Sequence, residues 1–113
     1  MEGKSLFVET FGNYPIIRVI DFLIENEIFD YSKKDISKYS GVSWNTLETF
    51  FNQLVKKDLV VKTRKVGKSQ MYKINLGNPV VKKIMEIDSG LMMESIKSVE
   101  ASGIKLKVPV KRK

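Results

Sequence analysis

Apolar and polar positions along the chain fall into blocks of different period, and the blocks predict its elements. After Pro15, the residues Ile16, Ile17, Ile20, Phe22, Leu23, Ile24 and Ile28 make a wide apolar stripe, with Arg18, Asp21 and Glu25 on the other side. That is the pattern of a core helix of about three turns, and a proline in its first turn removes an N–H that has no helical partner anyway. Asp30-Tyr31-Ser32 interrupts the stripe. Ser32 followed by Asp35 predicts a capping box with Asp in place of the usual Glu, opening a short helix to about Tyr39 that buries Ile36 and Tyr39. Ser40-Gly41-Val42 reads as a tight turn in which Gly41 takes a positive φ. Ser43 then caps a helix over 44–57 whose inward stripe is Leu47, Phe51, Leu54 and Val55.

Leu59–Lys65 and Gln70–Ile74 read as two strands joined by a turn at Val66-Gly67-Lys68-Ser69. Asn78-Pro79 is a cap with proline at the first helical position, and behind it a helical stretch to about Ala101 carries Val80, Ile84, Ile87, Leu91, Met92, Ile96 and Val99. Ser89-Gly90 either kinks that stretch or splits it. The end, KLKVPVKRK, alternates basic and apolar residues and reads as an extended or disordered arm. A short helix joined through a glycine turn to a second helix is a helix-turn-helix pattern, and the basic hairpin after it reads as a wing. The expected fold is mainly α with a small β-hairpin wing: an N-terminal extension (1–13), a winged helix-turn-helix (14–76), an additional C-terminal helical segment (77–102) and a basic tail (103–113).

Composition narrows the chemistry. The 113 residues include no cysteine and no histidine, and 42% are apolar against 29% charged, the balance of one globular domain with a real core. Disulfide scaffolds, zinc fingers and cysteine nucleophiles are excluded, as are imidazole bases and imidazole metal ligands. No glycine-rich phosphate loop follows a strand, and no carboxylates stand at metal-ligand spacing. Asp21 and Glu25 share a helical face, but Arg18 beside Asp21 reads as a solvated ion pair. An enzyme, a cofactor or a metal is therefore not expected. No stretch approaches the roughly 18 to 20 apolar residues of a membrane span, and the first residues lack a secretory pattern, so a cytoplasmic protein is expected.

The net charge of +7 is unevenly distributed. Residues 1–31 hold two basic and six acidic residues, 32–75 hold ten basic and three acidic, and 101–113 hold five basic and no acid. Segregation of this kind predicts a surface that faces a polyanion.

Residues 11–88 resemble the small archaeal winged-helix transcription regulators of the broad MarR/ArsR-like superfamily. The resemblance is carried by FGNYPIIRVIDFLIEN (11–26), FDYSKKDISKYSGVSWNTLETFFNQL (29–54), VVKTRKVGKSQMYKIN (60–75) and NPVVKKIMEID (78–88). It implies a dimeric, nucleoid-associated transcription factor that binds double-stranded DNA. It does not extend to 89–113.

In a helix-turn-helix the second helix enters the major groove with its N-terminal residues nearest the bases. Once its core stripe is removed, the helix over 44–57 leaves Trp44, Asn45, Thr46, Glu48, Thr49, Phe50, Asn52 and Gln53. Asn and Gln can bond adenine bidentately, a Thr methyl can meet the thymine methyl, and Glu can accept from cytosine N4. Ser43 and Thr46 are short enough to bond phosphate beside the helix N-terminal amides. With no arginine to grip guanine, an A/T-leaning site is expected. The same polar residues would also serve simply to solvate a helix, and Trp44 stands at a spacing from Leu47 and Phe51 that suits packing as well as DNA contact.

Lys62, Arg64, Lys65, Lys68 and Lys73 surround the hairpin turn with no acid between 59 and 75. Arg64, Lys65 and Lys68 are the expected phosphate or minor-groove contacts, Arg64 above all for the minor groove, although lysines on a bare hairpin also guard its edges. Lys33, Lys34 and Lys38 would flank the backbone contacts. Val80, Ile84, Ile87, Leu91 and Met92 approach a heptad and suit a homodimer contact, the alternative being a helix folded back on its own domain. A dimer would set two recognition helices about 34 Å apart. A second reading is a winged helix used as a protein-interaction or architectural module in a transcription, replication or partition complex, since a fold alone does not choose a function.

Overall fold

Among the described residues, five helices and three short strands follow one another as α1 (Leu6–Phe11), α2 (Pro15–Glu25), β1 (Tyr31–Ser32), α3 (Lys33–Ser40), α4 (Trp44–Lys56), β2 (Val60–Val66), β3 (Ser69–Ile74) and α5 (Pro79–Ala101). The coordinates are a computed structural model that describes residues 5–101, with side chains to Val99. The basic tail expected over 103–113 lies outside the described residues. The fold is mainly helical with one small antiparallel sheet.

Local chemistry accounts for the helix ends. Ser32 Oγ accepts from Asp35 N at 3.1 Å, and Ser43 Oγ accepts from Thr46 N at 3.2 Å, each satisfying an amide that has no helical carbonyl. Gly41 ends α3 at φ +74, as its place in the turn requires. Asn78 Oδ1 accepts from Val80 N at 2.7 Å and starts α5 ahead of Pro79. Beyond α4, Asp58 takes the left-handed conformation, and its carbonyl accepts from Asn75 Nδ2 at 2.8 Å and Asn78 Nδ2 at 3.0 Å. These two asparagines tie the end of α4 to the start of α5.

Five sequence expectations need correction. The extension over 1–13 contains a helix, α1, capped by Ser5 and burying Phe7 and Val8; six residues are too few to show a period. The segment at Tyr31-Ser32 is a strand, so the sheet has three strands in the order β1-β3-β2 rather than a two-stranded hairpin. Tyr31 pairs with Tyr72 and Ser32 with Met71. Ile28 lies beyond the end of α2 and is exposed, and Tyr39 is exposed too, stacked on Phe22 at 6.0 Å between ring centres. Arg18 turns away from Asp21 and donates through Nε to Ser40 O at 3.2 Å and through Nη2 to Gly41 O, capping α3.

The core lies between α2, α3, α4, the sheet and the first turns of α5. Val19, Leu23, Ile36, Leu47, Phe51, Val60 and Val81 are fully buried within it. Phe51 meets Tyr72 edge-on, with ring centres 4.9 Å apart, and so pins α4 to the central strand β3. Helix α5 runs unbroken through Ser89-Gly90, although glycine inside a helix costs about 1 kcal/mol relative to alanine. Among the described residues no helix is long and apolar enough to cross a membrane.

Where α2 faces α5, acids crowd together. Burial raises the Asp21 carboxyl above its ordinary value, partly offset by a hydrogen bond from Ser5, and Asp88 raises it further. Glu25 is raised by burial, then by Asp21 and Asp88. A carboxyl raised in the folded state costs stability as pH climbs through its window. Glu25→Gln should therefore increase the melting temperature at pH 7, with the gain vanishing near pH 3, where both states are protonated; calorimetry at the two pH values checks this. Phe51→Ala should cost about 3–5 kcal/mol in denaturant unfolding, because the cavity left between α4 and β3 is walled by helix and sheet.

Candidate nucleic-acid interface

The residues expected to contact a polyanion come from α4 and the β2–β3 hairpin. Leu47, Phe51 and Leu54 face the core, and the helical period then places Asn45, Glu48, Thr49, Asn52 and Gln53 on the exposed side of α4. Asn45, Asn52 and Gln53 make no side-chain hydrogen bond to the described residues, so their amides are open to an outside partner. Three of the hydroxyls are already engaged. Ser43 donates to Thr46 Oγ1 at 3.0 Å, and Thr49 donates to Thr46 O at 2.6 Å. Thr46 is half-buried and belongs to the cap.

Trp44 is 47% exposed at the head of α4. Lys33 Nζ sits 5.7 Å from its ring centre and 5.6 Å from that of Phe51, within cation–π range of both. The same ammonium pairs with Glu48 Oε2 at 3.0 Å, so Lys33 and Glu48 partner each other across the two helices. Trp44, Lys33 and Lys34 share a shallow groove of about 210 Å³ with Ser69, Gln70 and Tyr72 of β3. The fold thus brings the start of α4 beside the hairpin, while Asn52 and Gln53 lie two turns further along α4, outside that groove.

The hairpin turns at Gly67, whose φ of +62 suits a two-residue turn. Lys65 and Lys68 are exposed and make no ion pair among the described residues. Arg64 differs. Lys62 pairs with Tyr72 and Lys65 with Gln70, so Thr63 and Arg64 together stand opposite Met71, a bulge that puts an extra residue into β2. Gln70 Nε2 donates to the Arg64 carbonyl at 3.1 Å and props the bulge. From it, Arg64 donates to Asp30 through Nε at 2.9 Å and Nη2 at 3.1 Å, and Thr63 Oγ1 donates to the same carboxylate at 2.5 Å. The Arg64 and Thr63 hydrogen bonds hold the Asp30 carboxyl down at about 2. Sequence reasoning read Asp30 only as part of the break after α2 and missed this contact; Asp30 stands 34 residues before Arg64, and no local pattern links them.

The five expected dimer residues divide in two. Ile84 packs on the core and Leu91 is half-buried, while Val80, Ile87 and Met92 are exposed, joined by Met93. One face of the first half of α5, through Val81, Ile84 and Met85, therefore packs on its own domain, while Val80 and Ile87 lie on a face left exposed.

A carboxyl lowered in the folded state contributes stability that is complete above its ordinary range and is lost as pH falls toward about 2. An NMR titration should place the Asp30 carboxyl near that value in the wild type. In Arg64→Ala it should move up toward about 3.9.

No protein-family model, curated protein or solved structure matches this chain.

Proposed function

We propose that this chain is a non-enzymatic, sequence-specific regulator of transcription that binds duplex DNA. In this reading α3, the Gly41 turn and α4 form a helix-turn-helix, and β2–β3 is the wing of a winged helix. The observation that carries it is the pairing of an α4 face whose amides have no partner among the described residues with an adjoining hairpin whose outward lysines have none among them either. Amides at Asn45, Asn52 and Gln53 suit base edges, and the hairpin lysines suit phosphate. The exposed pair Val80 and Ile87, seven residues apart on one face of α5, supports a homodimer through that helix, which would place two α4 helices on successive turns of one duplex face. DNA binding places such a protein in the cytoplasm, at the nucleoid.

A protein-docking role draws support from a different surface. Ile28 is 69% and Phe29 54% exposed, and with Met85 they line a depression beside α5, a pair of large apolar side chains outside the α4 face. Binding that is insensitive to salt would favour that reading, whereas contact with phosphate makes affinity fall steeply as salt rises.

Selection from a random duplex pool, followed by binding of the enriched sequence across a salt series, tests the proposal. The expected product is an A/T-leaning inverted repeat bound with a steep salt dependence; no enrichment and no duplex binding would reject it. Lys68→Ala should weaken all probes alike and reduce the salt slope by about 1, while Asn45→Ala should relax one base position by roughly 1–3 kcal/mol. Ile87→Glu should shift the protein from dimer to monomer in analytical ultracentrifugation.

A further inference from the structure

We propose that Asp30 is a positioning residue, holding the Arg64 guanidinium in the orientation in which it meets the duplex. This inference rests on the DNA-binding reading above and names a residue outside α4 and the hairpin. Three donors converge on one carboxylate: Thr63 Oγ1 at 2.5 Å and Arg64 Nε at 2.9 Å on Oδ2, and Arg64 Nη2 at 3.1 Å on Oδ1. Asp30 immediately precedes β1, whereas Thr63 and Arg64 belong to β2, and β3 runs between those strands. The contact thus ties the two edges of the sheet together across its centre.

Exposure gives the pair a direction. The Asp30 side chain is 15% exposed and that of Arg64 is 65% exposed, so the acid lies covered and the base lies open. A bidentate contact through Nε and Nη2 fixes the guanidinium plane and leaves both Nη1 hydrogens and the second Nη2 hydrogen for an outside acceptor. The bulge is what makes this possible, because it sets Thr63 and Arg64 together against a single residue of β3 and both reach the same carboxylate. An arginine already held in one plane loses less rotamer freedom on meeting phosphate or groove oxygens.

Electrostatics alone predicts the opposite consequence. A carboxylate near a polyanion repels it, so deleting the charge should tighten binding. Positioning requires that deleting it weaken binding, and the sign of the effect separates the two.

The experiment uses the full chain and the selected duplex, with affinities measured by fluorescence anisotropy for wild type, Asp30→Asn, Arg64→Ala and the double variant. Asp30→Asn should bind about three- to tenfold more weakly, Arg64→Ala at least as weakly, and the double variant no worse than Arg64→Ala. Amide exchange in β2 and β3 of Asp30→Asn should match wild type; faster exchange there would assign the loss to hairpin folding and overturn the proposal. Equal or tighter binding by Asp30→Asn, or a further loss in the double variant, would overturn it while leaving the DNA-binding reading intact. A wild type that binds no duplex would reject both.

Discussion

The turn between α3 and α4 depends on Arg18. Its guanidinium, carried on α2, donates to Ser40 O and Gly41 O, carbonyls at the end of α3 that no helical N–H reaches. A cation at that end also offsets the helix dipole. A Cβ on Gly41 would lie 2.9 Å from Arg18 Nη2, so glycine serves the turn twice, by its positive φ and by leaving the guanidinium room. Val42 then buries its side chain, and α4 starts at an angle that sinks Leu47, Phe51 and Leu54 into the core. Every exposed amide on α4 owes its direction to that angle.

Two acids at the basic segment are covered by cations. Asp30 lies under Arg64 and Glu48 pairs with Lys33. Exposed pairs of this kind contribute little to stability, typically below about 1 kcal/mol. What they provide here is orientation. Lys33 is drawn in over Trp44 and Phe51 and acts as a structural cation between α3 and α4, leaving Lys34, Lys65 and Lys68 to set the outward potential.

Helix α5 joins two environments. Val81, Ile84 and Met85 complete the core beneath α2 and the sheet, while Val80, Ile87, Met92 and Met93 face outward. A Cβ at Gly90 would meet nothing within 4 Å, so no close packing among the described residues requires a glycine there. The same helix carries Asp88 to the carboxyls of Asp21 and Glu25, so the seam between α2 and α5 holds mutually repelling acids beside its apolar packing.

Much of this was legible in the chain itself. The apolar period and the cap residues located α2, α3, α4 and α5, the hairpin, and the Gly41 turn, because caps and periods are chemistry between residues a few positions apart. α1 and β1 were not legible, being too short for any period. Nor was the partition of α5, since a heptad states that a face is apolar without saying whether it meets its own domain or the outside. Arg18 and Arg64 show the same boundary. Sequence spacing set Arg18 beside Asp21 and left Arg64 without a partner, whereas the fold gave Arg18 to a helix end more than twenty residues away and Arg64 to Asp30. The sequence by itself determined which residues were helical, apolar or charged; only tertiary packing decided which distant groups meet, because a guanidinium is claimed by whatever acceptors the folded backbone brings within 3 Å or so of it.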